Sequence, residues 1–214
     1  MNLLRKNWYD FGGFLAAMVA IHILANKSNV TSYQLLVWLN LLSLFLHQLE
    51  EYRIVGTFPG MVNALMYKSK IPDRYPLNTN TSFYVNVVIG WTFYLLAAIL
   101  AEKAIWLGIA TMLVSTGNIV AHTTVFNIKG KTFYNAGLAT CWLLFAPCAY
   151  SFFYLLETDQ PATSADYLIG VSLGMILNIV GILKLIEWMA DKNTNYIFDQ
   201  RNLLPQDRKN NGNH

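Results

Sequence analysis

Charge is what this sequence has least of. Asp, Glu, Lys and Arg make up 13% of its 214 residues, about half the ~25% usual in soluble domains. That shortfall excludes an ordinary water-soluble domain and points to the bilayer as solvent. The excess of basic over acidic residues is only +3 and scattered, which excludes nucleic acid as a partner. Cysteine is nearly absent too. Cys141 and Cys148 lie in one apolar run, where two turns of helix would hold their Cα atoms about 10.5 Å apart, beyond the ~7 Å reach of a disulfide. No CxxC, zinc-ribbon or HExxH spacing occurs. The apolar run after Arg5 and Lys6 contains His22 and lacks a small-residue cleavage pattern, so a retained first span is expected there and not a leader.

Apolar length is plentiful. Hydrophobic residues make up 55% of the chain and the mean hydropathy is +0.35. Six segments approach the ~20 residues that cross a hydrocarbon core: 8–26, 33–52, 83–101, 105–126, 134–156 and 167–189. Trp8, Tyr9, Tyr84, Tyr134 and Trp188 lie near their ends, where amphipathic rings anchor at the interface. Pro147 predicts a kink in the fifth. The expected fold is all-α: a polytopic membrane protein forming a compact six-transmembrane-helix bundle over residues 1–192. A flexible cytoplasmic tail, rich in Asn, Gln and charge, is expected at 193–214. With the N-terminus inside, the Lys and Arg residues between spans fall on the inner side, except Lys27 and Lys103. The last outer loop is acidic (Glu157, Asp159, Asp166). The positive-inside rule therefore puts both termini in the cytoplasm.

One stretch interrupts the apolar pattern. LSLFLHQLEEYR, residues 42–53, ends the second segment on His47, Glu50 and Glu51. The second and fourth segments both run from outside to inside, which brings Asn118 and His122 to the same depth. Asn86 and the pair Tyr134-Asn135 open the third and fifth segments on that side. Asn40, Ser43, His47 and then Glu50 or Glu51 follow helical spacing, as do Thr111, Ser115, Asn118 and His122. Lipid cannot satisfy such stripes, so they are expected to face each other or a wet cavity. A charged side chain at mid-helix costs about 2.5–3.5 kcal/mol on insertion scales, and those that persist usually mark function. Adjacent carboxylates also repel, so one holds a proton or both share a cation.

Two histidines and a glutamate make a three-ligand site with an open position, as in catalytic zinc centres. The metal ligands expected are His47, Glu51 and His122, holding a divalent ion, zinc or iron. The other glutamate would act as general base on water, and Asn118 would orient a ligand or substrate oxygen. The spacing leaves open which of Glu50 and Glu51 is ligand and which is base. A metal-free alternative uses one glutamate as acid and the other, with histidine, as base. Lys184 and Glu187 read as an interface pair, His22 as a packing residue, and Asp10 and Glu102 as solvated span ends.

HQLEE resembles the signature of the HXXEE-domain proteins, a family of predicted multi-span membrane proteins. GNIVAH (Asn118, His122) is similar to the asparagine and second histidine that family carries in a later helix. YNAGLAT from Tyr134 resembles its Tyr-Asn-Pro-Gly-type segment, with Ala136 where proline is typical. The resemblance implies an integral-membrane enzyme and supports these sites without naming a reaction. The expected activity is hydrolysis of a lipid-like or amphipathic molecule entering from the inner leaflet, with membrane lipids as surroundings. An acid–base isomerase or cyclase is the alternative, and a small proton-coupled transporter a further one. The absence of repeat symmetry and the placement of the cluster at one end count against the transporter.

Overall fold

A computed structural model describes residues 2–159 and 161–208, helical and without strands among them. Helix α1 spans Asn2–Asn26 and is kinked at Asn7. Helix α2 starts at Ser32–Leu49 and continues through a π turn, Glu50–Ile54. Its start is set by Thr31, whose hydroxyl accepts the Gln34 amide while the Gln34 side chain accepts the Thr31 amide, a reciprocal cap for two free donors. A short helix α3 follows (Phe58–Gly60, extended by Met61–Met66). Helix α4 runs from Thr79–Phe83 through Tyr84–Trp91 to Thr92–Leu100. Helix α5 runs from Ile105–Val120 through Ala121–Phe126 to Asn127–Gly130. Helices α6 (Leu138–Thr158) and α7 (Ser164–Trp188) complete the bundle.

Four helical stretches among the described residues are long and apolar enough to cross a membrane, not the six expected: Leu4–Asn26, Thr79–Gly130, Leu138–Thr158 and Ser164–Trp188. Two causes account for the difference. Helices α4 and α5 join through a 3₁₀ turn, Ala101–Ala104, into one 52-residue stretch. The chain still doubles back there, because Ala101 (φ 46, ψ −123) and Ala104 (φ −145, ψ 61) leave helical geometry. Tyr94 of α4 consequently donates to Ser115 of α5 at 2.8 Å. Helix α2 is the other cause: Asn40, Ser43, His47, Gln48, Glu50 and Glu51 are all buried polar residues on it. Its polarity faces the bundle and lowers its apolar character.

Apolar side chains of α1, α2, α4, α5, α6 and α7 meet in a central core that includes Leu41, Phe45, Tyr94, Val114, Phe145 and Leu177. Helix α7 lies close on α5, since a Cβ at Gly170 would stand 2.7 Å from the Trp106 carbonyl and one at Gly174 would stand 2.9 Å from Leu113 Cβ. Small residues on α1 divide: Ala16 is buried, Ala17 exposed. Pro147 follows the π turn Cys141–Phe145, where a looser hydrogen-bond step accommodates a residue without an amide hydrogen. Both cysteines are buried and free. Of the expected tail, 209–214 lie outside the described residues. Within 193–208, Phe198 and Leu203 are buried, and Arg201 donates to the Tyr52 carbonyl at 2.7 Å.

Candidate functional site

Three helices leave ordinary α geometry where they meet. Glu50 and Glu51 open the π turn of α2, with the Glu50 carbonyl accepting the Val55 amide. His122 sits in the π turn Ala121–Phe126 of α5, and Cys141 opens that of α6. Such turns insert a residue into the helical ring, re-aim the side chains around it, and recur at functional sites. The two polar stripes face one another along this seam. Ser115 donates to Asn40 Oδ1 at 2.8 Å, and further along α2 the histidines and Glu51 converge.

Glu51 Oε1 lies 3.4 Å from His47 Nε2 and 3.2 Å from His122 Nε2. The two imidazoles stand edge to face with centroids 5.0 Å apart. All three side chains are out of solvent, at 1%, 0% and 3% exposure for His47, His122 and Glu51. Phe145 packs against His47 and Phe58 stacks on His122.

The far ring nitrogens decide the tautomers. Asn135 Nδ2 donates to the His122 carbonyl and to Asn127 Oδ1, so its oxygen faces His122 Nδ1 at 2.7 Å as acceptor. His122 therefore carries its hydrogen on Nδ1. His47 Nδ1 is 2.9 Å from Thr140 Oγ1, whose own hydrogen goes to Glu50 Oε2 at 2.6 Å. His47 too is protonated on Nδ1. With both rings neutral, each Nε2 is a lone pair aimed at a carboxylate oxygen. His47 Nε2, His122 Nε2 and Glu51 Oε1 are all buried without a hydrogen-bond partner. Three acceptors cannot satisfy one another, and leaving them so is costly. A proton or a cation between them relieves that cost. The two separations from Glu51 Oε1, 3.4 and 3.2 Å, are close to the ~3.3–3.4 Å between neighbouring donor atoms around a tetrahedral zinc at 2.0–2.1 Å. Arg53 is not that cation, because it pairs with Asp10 at 3.0 Å.

Glu50 stands elsewhere. Its Oε1 accepts from the Tyr134 hydroxyl (2.7 Å) and the Ala139 amide (3.2 Å). Its Oε2 accepts from the Thr140 amide (2.8 Å) and hydroxyl. These amides belong to the first turn of α6, whose N-cap, Gly137, has no side chain to offer. Glu50 supplies that cap from α2, placing a negative charge on a helix N-terminus. Gly137 itself has φ +106, and a Cβ there would stand 2.5 Å from His122 Cε1 and 2.8 Å from His47 Cε1. The structure thus separates two glutamates that spacing alone left interchangeable: Glu51 reaches the histidines, while Glu50 acts on His47 only through Thr140.

Asn118 is half-buried and donates to the Val114 carbonyl of its own helix at 3.1 Å. With His47 and Glu51 it lines a cavity of about 80 Å³. Sequence reasoning missed Thr140 and Cys141, although Thr140 closes the YNAGLAT segment and Cys141 follows directly on it. Cys141 Sγ lies 3.9 Å from His47 Nδ1, and His47, His122 and Cys141 offer ligand atoms within 4.8 Å of one another, a group that can hold a metal ion. Other charged residues stay outside: Lys184 pairs with Glu187 at 2.7 Å, His22 lies against Trp38, and Glu102 accepts from Thr31 and Gln34.

Residues 38–152, more than half of the chain, match the family described as a protein of unknown function with HXXEE motif. The chain belongs to the HXXEE family. Its motif is His47-Gln48-Leu49-Glu50-Glu51, and the HXXEE match takes in His122, Asn135, Thr140 and Cys141 as well. No curated protein and no solved structure matches the chain.

Proposed function

We propose that this HXXEE protein is an integral-membrane, metal-dependent hydrolase acting on a lipid-like or amphipathic substrate. One observation carries the reading: three buried atoms, His47 Nε2, His122 Nε2 and Glu51 Oε1, converge, both nitrogens within 3.2–3.4 Å of the carboxylate oxygen, and have no other hydrogen-bond partner among the described residues. His47, His122 and Glu51 hold the ion, zinc or iron, with Cys141 beside it. A divalent ion there supplies Lewis acidity and lowers the pKa of water. Thr140 and Asn135 keep the imidazoles in the tautomer that offers Nε2. Glu50 is a positioning residue, because both its oxygens are occupied and neither faces the histidines. In hydrolysis, water adds to an acyl carbon, the acyl–O or acyl–N bond breaks, and one proton ends on the leaving group. Glu51, the one carboxylate lining the cavity among the described residues, carries that proton, and Asn118 contacts the substrate oxygen.

The apolar helices support membrane insertion, and the distribution of Lys and Arg supports cytoplasmic termini with the site toward the cytoplasmic side. A proton shared by the same three atoms gives the second reading, an acid–base isomerase or cyclase. The two separate by product mass. Protein in liposomes, offered a panel of ester- and amide-linked lipids, is expected to release acids in a chelator-sensitive reaction that Glu51→Gln abolishes. A product of unchanged mass, formed equally well in chelator, supports the second reading instead.

A further inference from the structure

The cavity beside Glu51 is mainly apolar with a few polar groups in its wall. His47, Gln48, Glu51, Asn86 and Asn118 bring polar groups to it, while the rest of the wall is aliphatic, including Leu44, Val85, Val114, Ile182 and Ile186, or aromatic (Tyr52, Phe58 and Tyr94). No Lys or Arg lines it among the described residues, so nothing in the wall neutralises a carboxylate or phosphate carried deep inside. Its volume, about 80 Å³, is about half that of a ~150 Å³ cavity that holds one benzene ring, enough for a short piece of one chain and small for a ring system or two chains. Val85 and Gly90 come from α4 and Ile182 and Ile186 from α7, and the outward faces of these helices are apolar and exposed at Val88 and Ile179. Part of the cavity's apolar wall is therefore supplied by two helices whose other faces are lipid-compatible.

Resting on the hydrolase reading, we propose that this cavity takes the first few methylenes of a single uncharged aliphatic chain, joined to the reacting group beside Glu51 and continuing outward between α4 and α7. The substrate class is a single-chain acyl compound, not a phosphorylated or doubly charged one. Gly90 gives access to the question. A Cβ there would meet the Val85 carbonyl at 3.4 Å and Gln48 Nε2 and Leu44 Cδ2 at 3.8 Å, all ordinary contacts, and Gly90 lines the cavity, so a larger side chain there takes up cavity space.

The test measures binding of two probe series to metal-loaded protein in detergent. One is n-alkyl hydroxamates from two to eight carbons, which anchor on a metal; the other is n-alkyl alcohols, which need none. Affinity is expected to rise about fourfold per methylene over the first few carbons. Gly90→Ile should remove that increment while metal content stays at the wild-type level. Ile182→Ala, which enlarges the cavity, should lengthen the preferred chain by about one carbon and guards against a poorly folded Gly90 variant. Affinities independent of chain length in both series, or unchanged in both variants, overturn the proposal. Chain-length dependence for alcohols alone, in protein that holds no metal, overturns the metal reading and leaves the cavity assignment standing.

Discussion

Thr140 illustrates what a single hydroxyl does in this site. It accepts from His47 Nδ1 and donates to Glu50, so from α6 it links the fixed charge of Glu50 to the tautomer of His47, both on α2. Thr140→Val leaves a buried N–H without an acceptor, and loss of a comparable outer partner usually weakens metal binding 10–100-fold. A competition titration with a chromophoric chelator should show that loss, with Thr140→Ser restoring most of the affinity. A purely packing role predicts the reverse order, since valine matches threonine in shape. His47, His122 and Glu51 were legible in the sequence because ionisable groups stand out on apolar helices. Thr140 was not, because threonine is common on such helices and normally bonds its own backbone, as Thr116 and Thr124 do. Gly137→Ala is the sharper disruption. The added Cβ collides with both imidazoles at a left-handed φ, and a loss of more than ~1 kcal/mol in stability is expected, together with loss of metal, read by melting temperature and metal content.

Between helices, Glu50 is the joint. It ties α2 to the first turn of α6, and Glu50→Ala leaves the Ala139 and Thr140 amides and the Tyr134 hydroxyl unpaired. Loss of a helix cap and of buried hydrogen bonds together costs about 2–4 kcal/mol. Tyr134→Phe removes one donor and should cost about 1 kcal/mol. Reversible unfolding in mixed micelles orders the two, and equal, negligible effects would contradict the capping role. Repulsion between Glu50 and Glu51 argues for the opposite sign, but the two carboxylates enter different networks and the cap outweighs it. The facing of the α2 and α5 stripes was legible from 3–4-residue spacing. The π turns were not, since one extra residue in a helix leaves hydrophobic periodicity almost unchanged. The polarity of α2, and with it a lower apolar character than the other long helices, was visible in the sequence; that this polar face is buried against α5 and α6 is visible only in the structure.

For the chain as a whole, the orientation proposal has a direct check. Single cysteines at Lys70 or Lys131 should resist an impermeant thiol reagent in intact cells, and one at Glu157 should be labelled; Gln160, at the same expected loop, lies outside the described residues. Reversed labelling contradicts the cytoplasmic placement of the site. The central claim is narrower: the buried trio of His47, Glu51 and His122 holds a divalent ion. Elemental analysis of protein purified without chelator tests it most directly. About one zinc or iron per chain is predicted, absent from Glu51→Gln and His122→Ala, with the melting temperature of the wild type falling when chelator is added. Metal-free wild-type protein at full stability, with a melting temperature that chelator leaves unchanged, would contradict it.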